Sequence, residues 1–192
     1  MAGAKRVGVL ALQGDFEAHK QALARVGAEA VEVRTAAQLD GVDGLILPGG
    51  ESTTMLKLLD EERLFEPLQR FGQERPIFGT CAGAILLATE VLNPAQRSLG
   101  LMDISVERNA YGRQLDSRIA RLPWGRLQNG GGDFEAVFIR APIIRRMGPT
   151  VSGLTFYRGT PVLVADGRHL VATFHPELTT DTRIHRLFVQ RI

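Results

Sequence analysis

Gly79-Thr80-Cys81-Ala82-Gly83 contains the only cysteine of the chain. It lies between a short apolar run, Pro76-Ile77-Phe78, and a helix-like stretch, Ala82 to Ala88. That order is a strand–nucleophile–helix elbow in its thiol form. A sharp turn lifts the nucleophile above a sheet, and the flanking glycines leave room for a backbone that side chains would obstruct. The position is also a helix N-terminus, where unpaired N–H groups favour a thiolate. A free thiol titrates near pH ~8.5 and needs a neighbouring base to act at neutral pH.

Histidine is the natural base, and there are four. His19 and His185 fall in amphipathic helical stretches and read as surface residues; His169 follows Gly167-Arg168 in a hairpin-like turn. His175 differs. It ends the apolar run Leu170 to Phe174 and is followed by Pro176 and Glu177. Proline holds the preceding residue extended, and His-x-Glu spacing lets a carboxylate return to the imidazole, as the third member of a nucleophile–base–acid triad does.

A third constellation, Leu47-Pro48-Gly49-Gly50-Glu51-Ser52, also closes a strand and opens a helix. Its paired glycines allow close backbone approach to a ligand, and one N–H there together with that of Ala82 could form an oxyanion hole. A plain helix-entry turn and a phosphate cradle are the alternatives, although no Lys-Ser or Lys-Thr pair stands in P-loop spacing. No Cys/His cluster has zinc spacing and no acidic loop suits calcium, so neither a metal nor a cofactor is expected.

The elements that must position these groups follow from the apolar pattern. Val7–Leu12 reads as a buried strand. Phe16, Ala18, Ala22, Leu23 and Val26 recur at helical spacing until Gly27, and Ala28–Val33 is a second strand. Thr35 can cap a short helix through Leu39, Gly44–Leu47 is a third strand, and Ser52 or Thr53 can cap a helix bearing Met55, Leu56, Leu58 and Leu59. Leu64, Phe65, Leu68 and Phe71 continue the pattern up to Pro76. This alternation predicts an α/β fold, a mostly parallel sheet with helices on both faces. In the second half, Leu101–Ala110, Gln114–Leu122, Ala136–Ile139, Pro161–Ala165 and His169–Phe174 read as strands, giving antiparallel additions before a last helix over Asp181–Ile192. Gln128–Asp133 reads as an exposed glycine-rich loop.

With 192 residues, 44% of them hydrophobic, a single domain over 1–192 is the default. A net charge of +2 without charge runs, one Trp and two Tyr give no support for nucleic-acid binding. No stretch approaches the ~20 apolar residues of a membrane span, and Met1–Arg6 carries no long apolar segment. A lone thiol kept for chemistry fits a reducing, cytoplasmic setting.

The cysteine elbow with Phe174-His175-Pro176-Glu177 resembles class I, triad-type glutamine amidotransferases. Leu10–Asp15, Pro48–Thr54, Val106–Gln114, Phe138–Pro142 and Phe174–Thr179 are similar to the glutaminase subunits of pyridoxal 5′-phosphate synthases, a likeness covering essentially the whole chain. The resemblance implies a flavodoxin-like three-layer fold that hydrolyses L-glutamine and supplies ammonia to a synthase subunit in a large oligomeric hetero-complex. It implies Cys81 as nucleophile, His175 as base and acid, and Glu177 as its partner. Gly49, Gly50 and Glu51 would contact glutamine, with the Gly50 and Ala82 N–H groups as oxyanion hole. Arg108 and the Ile139-Arg140 pair would bind the α-amino-acid end. The Leu122–Asp133 segment departs from the family pattern. Two other readings stay open: a glutaminase serving another synthase, such as imidazole glycerol phosphate synthase, and a non-enzymatic binding module of the same fold.

Overall fold

The computed structural model describes residues 3–110, 117–124 and 131–192. The first half alternates as expected: β1 (Arg6–Leu10), α1 (Phe16–Arg25), β2 (Glu29–Val33), β3 (Gly44–Leu47), α2 (Ser52–Glu61), α3 (Phe65–Glu74), β4 (Ile77–Thr80) and α4 (Ala82–Leu87). The chain then runs through β5 (Ala88–Leu92), β6 (Met102–Glu107), β7 (Ser117–Leu122), β8 (Phe134–Ile139), β9 (Ile143–Met147), β10 (Ser152–Tyr157), β11 (Thr160–Ala165) and β12 (Leu170–Ala172) to α5 (Arg183–Val189).

A seven-stranded sheet in the order β10-β11-β12-β4-β3-β1-β2 forms the centre. Its five-strand portion from β12 to β2 is parallel, and β11 and β10 extend one edge antiparallel. Alternate residues of the parallel strands face opposite sides, as the period of two requires. Leu45, Leu47, Ile77 and Val171 enter one core with α2, α3 and α4. Val7, Val9, Ile46, Phe78, Leu170 and Ala172 enter the other with α1 and α5. Phe78 and Phe188 are fully buried there and pack ring to ring at 5.6 Å. Truncating such a ring to alanine costs about 3–5 kcal/mol.

Two smaller sheets lie outside the central one: β5-β6-β9 and the β7-β8 hairpin. The sequence reading missed β5, β9 and β10. Ala88, assigned above to the end of a helix, begins β5 instead, because Thr89, Val91 and Leu92 are β-formers with no helical stripe to bury. The Thr35 turn is a short 3₁₀ helix (Ala36–Gly41), where Gln38 Oε1 accepts the Thr35 N–H at 3.0 Å. The expectations for Tyr111–Gln114 and for Gln128–Gly130 lie outside the described residues. Of the glycine-rich loop, 131–133 is exposed.

Candidate active site

The sheet order makes β12, β4, β3 and β1 successive parallel neighbours, so their C-terminal ends lie side by side. Cys81, the His175–Glu177 turn, Gly49-Gly50 and Gln13 follow directly from those four ends. Ligands of open α/β sheets bind at this edge.

Cys81 is placed by its backbone. Its φ of 49° and ψ of −102° are unfavourable for a residue with a side chain, at a cost of about 1–3 kcal/mol. The turn is held because the Cys81 N–H donates to the Ala172 carbonyl at 2.9 Å, and its own carbonyl accepts from Ala84 at 3.1 Å and Ile85 at 3.3 Å. The flanking glycines leave room as the sequence suggested, while the positive φ itself belongs to Cys81. A Cβ on Gly83 would collide with the Leu47 carbonyl, and one on Gly79 with the Gly83 carbonyl, so both permit close approach of α4 to the sheet. The Cys81 Sγ faces the Ile139 carbonyl at 3.8 Å. Ala82 is the first helical residue, and its N–H has no intrahelical acceptor.

His175 stands three residues beyond β12, held where its N–H donates to the Val137 carbonyl at 2.8 Å. Pro176 starts a 3₁₀ turn (Pro176–Leu178), which folds Glu177 back beneath the imidazole. His175 Nδ1 and Glu177 Oε1 are 2.7 Å apart, and the carboxylate is wholly shielded from solvent. Burial by itself would lower the His175 pKa. Hydrogen bonds to Cys81 and Glu177 outweigh it and push the pKa up to about 10. The imidazolium is therefore the resting form at neutral pH, a proton donor beside the sulfur; once it has given that proton away, the neutral ring can act as a base.

The Gly49-Gly50 turn lies against this pair. A side chain at Gly49 would strike His175, and Gly50 has φ 137°, which favours glycine. The Gly49 carbonyl packs against Gly14, on the β1 side of β3.

Glu51 corrects one expectation: the N-cap of α2 is Glu51 rather than Ser52 or Thr53. Its carboxylate accepts from the Thr53 N–H at 3.0 Å, the Thr54 N–H at 2.7 Å and the Thr54 hydroxyl at 2.9 Å. Partial burial would raise its pKa, but these donors outweigh burial and bring it down to about 2. Arg108, next after β6, donates to Thr53 Oγ1 at 3.0 Å and lies 3.4 Å from Glu51 Oε1. Arg140, exposed and at φ 42°, has no hydrogen bond or ion pair among the described residues.

A cavity of about 180 Å³ is lined among others by Cys81, His175, Gly50, Glu51, Arg108 and Arg140, whereas Gly49, Ala82 and Glu177 lie behind its wall. Ile139 lines it too, as do Ile85, Asn109 and Pro142, which sequence reasoning did not single out as site residues. The larger misses are His19 and His185. Both were expected at the surface, and both are fully buried. The spacing held the signal: His19 shares a helical face with Phe16, Ala22, Leu23 and Val26, as His185 does with Ile184 and Phe188. His169 is buried as well, its Nδ1 accepting the Ile77 N–H at 3.1 Å, so it holds the start of the nucleophile strand. Among the described residues no cluster of three or more His, Cys, Asp or Glu could hold a metal ion, and no helix is long and apolar enough to cross a membrane.

The site thus holds a thiol on a strained elbow, an imidazolium beside it and a buried carboxylate behind. The fold is similar to a solved glutamine amidotransferase with a TM-score of 0.88 and 49% identity, over 96% of this chain and 97% of that one. The chain belongs to the SNO glutamine amidotransferase family, whose pattern matches residues 9–192. It is 61% identical over 191 residues to the pyridoxal 5′-phosphate synthase subunit PdxT of Solibacter usitatus, covering 98% of this chain and all of that one. It is 54% identical to the PdxT of Koribacter versatilis, over 97% of this chain and 95% of that one.

Proposed function

We propose that this chain is the glutaminase subunit of a pyridoxal 5′-phosphate synthase, with Cys81, His175 and Glu177 as its catalytic triad. The observation that carries the reading is the convergence of Cys81, His175 and two arginines on one cavity at the carboxyl edge of the sheet. The Cys81 thiolate attacks the carboxamide carbon of L-glutamine, and the carbonyl electron pair moves onto oxygen. The N–H groups of Gly50 and Ala82 receive that oxyanion. The His175 imidazolium gives its proton to the amide nitrogen, the C–N bond breaks and ammonia leaves, with a glutamyl thioester on Cys81. His175, now neutral, takes a proton from water; the hydroxide attacks the thioester, and glutamate departs as the thiolate and imidazolium are restored.

Arg140 is the uncommitted cation of the cavity and fits the α-carboxylate of the substrate. Arg108, held by Glu51 and Thr53, forms the fixed opposite wall with Gly49, Gly50 and Glu51. Ile139 contributes its carbonyl beside the sulfur. Ammonia passes to a synthase subunit in a larger hetero-oligomer, in the reducing setting that a free catalytic thiol requires. Residues 1–192 act as a single glutaminase domain, and neither nucleic acid nor a membrane takes part. Service to a different synthase is disfavoured by the PdxT relatives at 54–61% identity, and a non-enzymatic module by the intact triad geometry.

The test is glutamine-dependent pyridoxal 5′-phosphate synthesis by this chain with its synthase subunit. Cys81→Ala should abolish glutamate release while synthesis from added ammonia persists, because that chemistry lies on the other chain. Glutamate release by the alanine variant would remove Cys81 from the mechanism.

A further inference from the structure

Behind the triad lies a second polar chain that the mechanism above does not use. His19 (α1) and His185 (α5) meet on the sheet face beneath the site, with His19 Nδ1 and His185 Nε2 2.9 Å apart. His19 Nε2 points the other way, 3.3 Å from Thr80 Oγ1 and 3.4 Å from Glu177 Oε2. Glu177 Oε2 makes no hydrogen bond, so the His19 ring nitrogen is the polar group it faces. The side chains of His19 and Glu177 are fully shielded from solvent.

The position of the protons follows from one orphan atom. His185 Nδ1 is buried without a partner. If it carried the hydrogen, an N–H would be left unpaired, and the His19 Nε2 lone pair would face a carboxylate oxygen. Both are costly in an apolar interior. The other arrangement avoids both: His185 donates Nε2–H to His19 Nδ1, and His19 donates Nε2–H toward Thr80 and Glu177. Only a bare lone pair then stays unmatched on His185. Burial first, and then the neighbouring His185 and His175, hold His19 neutral; burial and Arg25 bring the His185 pKa down to about 4. The pair is thus an uncharged, directed dipole.

We propose that His19 is a positioning residue for Glu177, and that His185 fixes the tautomer in which it works. One oxygen of the carboxylate is hydrogen-bonded to His175, and the other lies 3.4 Å from His19 Nε2, where the N–H attracts it without a full hydrogen bond, so the carboxylate is restrained from both sides. Thr80 shares that N–H and immediately precedes Cys81, so one imidazole ties the acid to the nucleophile strand. The inference builds on the glutaminase reading, and the test separates the two.

The variants are His19→Phe, which keeps a ring against Phe78 but no donor, His19→Gln, which restores a donor, and His185→Phe. Glutamine turnover with the synthase subunit is one readout. The other is the rate at which iodoacetamide alkylates Cys81, the chain's only thiol, which needs neither glutamine nor partner. Loss of a donor to a charged group predicts about a ten-fold fall in both kcat and alkylation for His19→Phe, with KM changed less than about two-fold. His19→Gln should recover most of that loss, and His185→Phe should show a smaller fall of about three-fold. Unchanged rates in a folded His19→Phe, or an equal defect in His19→Gln, would overturn the proposal. If the wild type hydrolysed no glutamine while alkylation followed this series, the glutaminase reading would fail and the positioning role would stand. Should His19→Phe not fold, ¹⁵N spectra of the wild-type imidazoles decide: Nε2–H on both rings supports the proposal, and Nδ1–H on His19 contradicts it.

Discussion

The two halves of the site are held by different physics. Cys81 is placed by main chain: a strained φ, a hydrogen bond across to β12 and glycines that admit the helix behind it. His175 and Glu177 also sit on a fixed turn, but their ring and carboxylate are oriented by side chains, in a buried chain of polar groups running from the sulfur to His185. A backbone device has one solution and fails abruptly when the space is taken. A side-chain network can lose a member and keep part of its function.

That contrast orders the expected effects. Gly83→Ala should be the most damaging change short of removing the thiol, because its Cβ meets the backbone carbonyl of Leu47, which cannot swing aside. Displacing the elbow by an ångström costs on the order of 100-fold in turnover, and more is expected here. Steady-state glutaminase kinetics on the folded variant would measure it, and near-normal turnover would show that the elbow yields. Glu177→Gln should cost about 100-fold in kcat with little change in KM, since an amide can hold the ring but not stabilise its cation. A rise in KM alone would make Glu177 a substrate contact.

The arginines sharpen the comparison at the substrate end. Arg140→Ala should raise KM for glutamine about ten-fold, as expected for losing a charge-assisted bond to a carboxylate. Arg108→Ala should also raise KM, and it should lower the melting temperature as well, because Arg108 braces the Glu51 cap. Equal thermal stability in the two variants would contradict that distinction.

The smallest effect is in pH. His19 and His185 have depressed pKa values in the fold, His185 near 4, against about 6.5 when unfolded. The unfolded chain therefore binds more protons in that window, and stability is full above pH 6.5 and falls as pH drops toward 4. His175 has the opposite sign: its raised pKa contributes stability below pH 6.5 that is lost as pH rises through about 10. Melting temperature should fall by several degrees between pH 7 and 5, and His185→Phe should flatten that slope. An unchanged slope in the variant would mean that other groups set it.

The same contrast explains what could be read from the sequence. Gly-x-Cys-x-Gly and His-Pro-Glu are local signals, because turn geometry is set within a few residues of the chain. The parallel half of the sheet was equally legible from its alternating strands and helices. The His19–His185 contact spans 166 positions and depends on how two helices dock on one face. No local pattern reports that, although the helical stripe already placed both rings inward. Glu51 was misjudged for a similar reason: a cap goes to whichever side chain reaches the free N–H groups, and the longer glutamate outcompeted Ser52 and Thr53. The strands β5, β9 and β10 were missed because they belong to edges and to a small accessory sheet, where burial patterns are weak.

The most direct test of the central claim, that Cys81 is the nucleophile of a glutamine-hydrolysing site, is covalent capture with a diazoketone analogue of glutamine, read by intact and peptide mass spectrometry. One adduct is expected, on Cys81, formed with loss of dinitrogen, prevented by excess glutamine and slowed in Arg140→Ala. An unlabelled chain in the presence of its synthase subunit, or an adduct on any other residue, would contradict it.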